Sequence, residues 1–87
     1  MPGIARVDQD VAGGLIIGIL APTVFVNGTN VAVLDAQVQG HASGPHASPV
    51  MAESSVTVFA NGIGVCKVGD QASCGHPTNG SGDVFCT

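Results

Sequence analysis

The chain has 87 residues, a net charge of -4 and only 9% charged residues, with one Arg and one Lys. A single small domain fits that length, and nucleic-acid binding is excluded because no basic patch can be assembled. Without Trp or Tyr, and with three Phe and thirteen Gly, the core must come from Val, Ile, Leu and Ala on short strands joined by tight turns.

Met1 to Asp8, "MPGIARVD", has neither a basic n-region nor an apolar h-region and does not read as a secretory signal. "GIARVD" at 3–8 reads as a strand ending in Asp8. A first loop, Gln9 to Pro22, contains "GGLIIGILAP". Its apolar run from Leu15 to Ala21 is too short to span a bilayer and is expected to be a buried strand followed by a turn.

Residues 23–35, "TVFVNGTNVAVLD", form the next strand pair, and residues 57–70, "TVFANGIGVCKVGD", repeat it 34 residues later with one insertion before Asp70. In both copies Asn-Gly sits between apolar runs, the sequence pattern of a type I′ hairpin, since both central residues of that turn need positive φ. "DVFCT" at 83–87 matches the start of the unit, and "GIARVD" its end. The chain therefore divides into three units, 1–28, 29–62 and 63–87, each running strand, Asp, loop, strand. With no helical period, the expected fold is mostly β: a small pseudo-threefold domain of hairpins and loops whose two termini close the last seam. Asp8, Asp35 and Asp70 recur at one position of the repeat, which predicts a structural role in accepting loop N–H bonds.

The loops after each Asp (Gln9 to Pro22, Ala36 to Ser55, Gln71 to Gly82) must meet at one end of such an object. They carry all three histidines and one cysteine, in "GHASGPH" at 40–46 and "SCGHP" at 73–77. His41, His46, Cys74 and His76 are thus predicted metal ligands. Three imidazoles and a thiolate suit tetrahedral Zn2+, one per chain, with iron as the alternative. The other cysteines serve as controls. Cys66 aligns with Ala32 and Ala5, and Cys86 with Val26 and Ala60, so both are expected to be inert and buried. A nucleophile–base pair of Cys74 and His76 is the enzymatic alternative. It lacks an evident orienting acid, and the chain is expected not to be an enzyme.

The segments "GIARVD", "TVFVNG", "GVCKVGD" and "CGH" resemble the PAAR-repeat (proline–alanine–alanine–arginine) family over Gly3 to Thr87. No copy has the full Pro-Ala-Ala-Arg: the three read Ala5-Arg6-Val7-Asp8, Val31-Ala32-Val33-Leu34-Asp35 and Val65-Cys66-Lys67-Val68-Gly69-Asp70. Loop one has Ala12-Gly13-Gly14 where many members have His-Gly-Gly, so His41 and His46 would both come from loop two. The resemblance implies a small cone of three β units with zinc near its apex. It also implies a base that caps a trimeric β-helical spike, one copy per trimer, in a contractile phage tail or a type VI secretion system. Such a tip touches the target cell's outer membrane only transiently. It would belong to the virion baseplate or the secretion apparatus, and here it would be bare, without a toxin extension. A free-standing zinc-binding adaptor is the alternative from another class.

Overall fold

The computed structural model describes residues 3–82 and 84–85. Among the described residues regular structure is sparse: six strands of two residues each, one 3-10 turn at Gly44–His46, and isolated β-bridges. The strands pair as three antiparallel hairpins, β1 (Val11–Ala12) with β2 (Gly14–Leu15), β3 (Phe25–Val26) with β4 (Thr29–Asn30), and β5 (Phe59–Ala60) with β6 (Ile63–Gly64).

Both Asn-Gly turns form as expected. Val26 pairs with Thr29 and Ala60 with Ile63. Asn27 and Gly28 have φ of 54° and 81°, and Asn61 and Gly62 of 51° and 79°, so both central residues of each turn lie in the left-handed region of a type I′ turn. The third seam joins the termini. Ile4 N–H donates to Val84 O at 2.9 Å, as Val31 N–H does to Val24 O (3.1 Å) and Val65 N–H to Val58 O (3.0 Å).

What binds the three units is a set of closed rings of backbone hydrogen bonds. Ala5 N–H donates to Cys66 O (2.9 Å), Cys66 N–H to Ala32 O (2.9 Å) and Ala32 N–H to Ala5 O (3.0 Å). One register outward, Val7 donates to Asn30 O, Leu34 to Gly64 O and Val68 to Gly3 O, at 2.8, 2.9 and 2.9 Å. Each of the three inner strands therefore bridges the other two: Ile4 faces Lys67, Arg6 faces Val31, and Val33 faces Val65. The loops close in the cyclic sense of the second ring, with Ile17 donating to Gln37 O, Ala52 to Gln71 O and Asn79 to Val11 O. Closure leaves the inner strands no free edge, which is how strands this short persist. It also restricts the axis to small side chains. Ala5, Ala32 and Cys66 are all fully buried there, and Cys66 Sγ donates weakly to Glu53 O at 3.4 Å. Cys66 thus occupies the alanine position predicted for it; Cys86 lies outside the described residues.

Two apolar clusters stack along the body, whose extents are 32 × 23 × 21 Å. One comprises Val26, Val31, Val33, Ala60, Val65 and their neighbours on the β3–β6 hairpins. The other comprises the axial residues with Ala12, Ile16, Val38, Met51 and Ala72, and Cys74 packs against it.

Two expectations are corrected. The repeat position assigned to Asp8, Asp35 and Asp70 holds two different roles. Asp8 and Asp35 are exposed turn residues at φ 63° and 71°, and their counterpart in the third unit is Gly69 at φ 92°. The structural carboxylates are Asp10 and Asp70, 1% and 6% exposed. Asp10 Oδ2 accepts from Arg6 N (2.8 Å) and Nε (2.9 Å); Asp70 accepts from Lys67 N at Oδ2 (3.0 Å) and from Nζ at Oδ1 (2.7 Å). Unit two dispenses with the ion pair and places Val33 and Ala36 there, joined by Ala36 N–H to Val33 O. Secondly, Leu15 to Ala21 is no buried strand. Ile16 and Ala21 are fully buried, but Ile17, Ile19 and Leu20 are 38%, 49% and 42% exposed. The segment lies across loop two, with Ile17 and Gly18 both donating to Gln37 O.

Candidate metal centre

Each loop orders its own pair of candidate ligands by local backbone bonds. In loop two His41 N–H donates to His46 O at 3.0 Å, closing the turn that begins and ends with these histidines. Inside it, the 3-10 turn Gly44–His46 starts with Pro45 near its N-terminus, and Ala47 N–H donates to Gly44 O. In loop three Ala72 N–H donates to His76 O (3.0 Å) and Gly75 N–H to Ala72 O (2.9 Å), a tight turn with Gly75 at φ 93°. Ser73 ties the two loops together. Its N–H donates to Val50 O (2.7 Å), and its hydroxyl accepts from Val50 N–H (3.1 Å).

The result is the cluster that the repeat argument requires. One donor atom each from His41, His46, Cys74 and His76 lies within 4.8 Å of the others. His41 Nε2 is 3.1 Å from His46 Nδ1 and 3.8 Å from Cys74 Sγ. The three imidazole centroids are 4.9–5.0 Å apart. A tetrahedral zinc with Zn–N near 2.05 Å and Zn–S near 2.3 Å has N···N and N···S edges of about 3.3 and 3.6 Å. The 3.1 Å and 3.8 Å separations lie within about 0.2 Å of those values, and no pair of donors is more than 4.8 Å apart, so these side chains could close on one small cation.

Outer contacts prepare the donors. His41 Nδ1 is 3.2 Å from the Gln39 carbonyl. A carbonyl only accepts, so the contact holds the proton on Nδ1 and leaves the Nε2 lone pair facing the cluster, the usual arrangement of a metal-binding imidazole. Three imidazoles and a thiol, gathered with no carboxylate among the described residues of the group, form a donor set of intermediate softness, suited to zinc and related transition metals and poorly suited to magnesium or calcium. The enzymatic alternative paired Cys74 with His76; the contact that the structure records for the thiol is with His41, from the other loop.

Loop one brings no ligand, yet it reaches the centre. A Cβ at Gly13 would lie 2.7 Å from His76 Cγ and 2.8 Å from His41 Nε2. In the sequence Gly13-Gly14 stood out only as the pair that follows Ala12, where a histidine was missing. The signal that was present is the absence of any side chain at those two positions.

No family model and no curated protein matches this sequence.

Proposed function

We propose that the chain is a non-enzymatic, metal-stabilised tip that caps a trimeric β-helical spike of a contractile injection machine, a phage tail or a type VI secretion system. The observation that carries this reading is the His3Cys cluster formed by loops two and three of a body bonded in threefold rings. The PAAR-like sequence segments supply the identity of the machine, and the finer description of the fold, a cone with its metal at the apex, belongs to the same proposal.

The physical logic is that of a point that must keep its fold under load. Few residues fit at a tip, so apolar burial is thin there. When bound, a structural zinc contributes about 10–16 kcal/mol of apparent folding free energy, comparable with the whole net stability of a domain. Here it would cross-link loops two and three through His41, His46, Cys74 and His76.

The opposite half has the features of a docking surface. Phe25, Phe59 and Phe85 stand at equivalent positions of the three units, next to the inward-facing Val24, Val58 and Val84, and are 58%, 58% and 47% exposed. Three identical anchors, two on the Asn-Gly hairpins in segments free of charged residues (11–34 and 54–66) and the third at the terminal seam, match one threefold partner better than three different ones. An uncharged contact of this kind depends weakly on salt.

Co-expression with a trimeric β-helical spike protein, followed by native mass spectrometry, tests the proposal. One chain per spike trimer, retained at high salt, is the expected result. Three chains per trimer, or no association, returns the reading to a free-standing metal-binding protein.

A further inference from the structure

We propose that Gly13, the turn residue between β1 and β2, and Gly14, the first residue of β2, are positioning residues of the metal centre. Loop one then belongs to the centre through its backbone, although it donates no ligand. This inference rests on the metal-binding reading of the His3Cys cluster.

Two separate contacts carry it. Gly13 has φ of 83°, and a Cβ there would overlap His76 Cδ2 while lying 2.8 Å from His41 Nε2. It would therefore stand between the imidazoles of loops two and three, in the space they need to approach one ion. Gly14 acts on the other side of His41. A Cβ there would overlap the Gln39 carbonyl oxygen and lie 3.0 Å from His41 Nδ1. That is the pair whose contact fixes the His41 proton on Nδ1. The Gln39 carbonyl is backbone and is itself anchored, since Gln39 N–H donates to Leu15 O at 2.7 Å, the residue after Gly14. The Gln39 obstacle is backbone and cannot swing away, and relief at Gly13 requires the His76 imidazole to turn out of its place in the cluster. One glycine thus keeps open the gap between two ligands, and its neighbour preserves the outer contact of one of them.

Gly28 provides a matched control. Its φ is 81°, yet a Cβ there meets nothing within 4 Å, and it lies in the β3–β4 turn among residues of the other apolar cluster. Gly13→Ala and Gly28→Ala impose the same backbone penalty, and only the first reaches the ligands. Zinc affinity is measured by competition with a chromophoric chelator, and ligand geometry by the absorption of the cobalt(II) form. Gly28→Ala is expected to bind zinc within about twofold of the unaltered chain, whereas Gly13→Ala loses about ten- to a hundredfold, the range seen when outer contacts of a metal site are disturbed. Its cobalt spectrum shifts or loses intensity. Metal-free melting temperatures of the two variants should agree. Should Gly13→Ala fail to fold, Gly14→Ala decides: it carries no positive φ and is expected to show the same loss of affinity. Gly13→Ala and Gly14→Ala binding zinc as Gly28→Ala does, with an unchanged cobalt spectrum, overturns the inference. An unaltered chain that binds no zinc sinks the metal-binding reading instead, and the two failures cannot be confused.

Discussion

Removing the sulfur atom should have a metal-dependent cost at Cys74 and a metal-independent cost at Cys66. Cys66 is fully buried at the axis, so Cys66→Ala leaves a small void among Ala5, Ala32 and their neighbours. A void of that size costs about 1 kcal/mol, or roughly 4–8 °C in melting temperature for a domain of this length. The cost is the same with or without chelator, because Cys66 is not in the cluster. Cys74→Ser, by contrast, is nearly isosteric at a half-buried position. In metal-free protein it should change the melting temperature by less than about 4 °C. In zinc-loaded protein it replaces a thiolate by a weak hydroxyl donor. A hundredfold loss of affinity, at zinc well above the dissociation constant, removes about 2.7 kcal/mol of linked stability, roughly 11–22 °C. With no Trp or Tyr in the chain, the assay is calorimetry or far-ultraviolet circular dichroism, each variant with zinc and with chelator. Equal losses for Cys74→Ser in both conditions, or a chelator-dependent loss for Cys66→Ala, would refute the assignment.

Other expectations separate the two classes of aspartate and the two ends of the body. Asp10→Ala leaves the largely buried Arg6 guanidinium without its carboxylate and is expected to cost about 3 kcal/mol in thermal or urea denaturation, while Asp8→Gly, at an exposed left-handed residue, should be neutral or slightly stabilising. Asn61→Ala keeps the turn length but removes a residue tolerant of φ 51°, and a loss of about 1 kcal/mol should appear in the same experiment. Simultaneous Phe25→Ser, Phe59→Ser and Phe85→Ser should leave zinc binding within about twofold and abolish co-purification with the spike trimer; unchanged capture by the trimer would remove these side chains from the docking surface.

Much of the architecture was legible because it rests on short-range backbone requirements. Asn27-Gly28 and Asn61-Gly62 admit the turn geometry found, and the alignment of Ala5, Ala32 and Cys66 marks an axis that only small side chains can line. The convergence of His41, His46, Cys74 and His76 followed from placing the loops at one end. The aspartates were less legible. A repeat counted along the sequence aligned Asp70 with Asp8 and Asp35, whereas the backbone conformation aligns Gly69 with them and pairs Asp70 with Asp10, two residues beyond Asp8. A basic residue three or four positions earlier, Arg6 or Lys67, was the clue that distinguishes the paired carboxylates. Leu15 to Ala21 misled because apolar content alone does not reveal which side of a loop faces its neighbour. Gly13 and Gly14 were missed as parts of the centre because their contribution is the space left by an absent side chain.

The central claim is that four side chains from two loops hold one metal ion. X-ray absorption spectroscopy on the purified chain, with elemental analysis of the same sample, tests it most directly. One zinc per chain is expected, in a shell of three nitrogens near 2.05 Å and one sulfur near 2.3 Å, with the sulfur contribution lost in Cys74→Ser and retained in Cys66→Ala. Protein without metal, or a metal shell without sulfur, would contradict it.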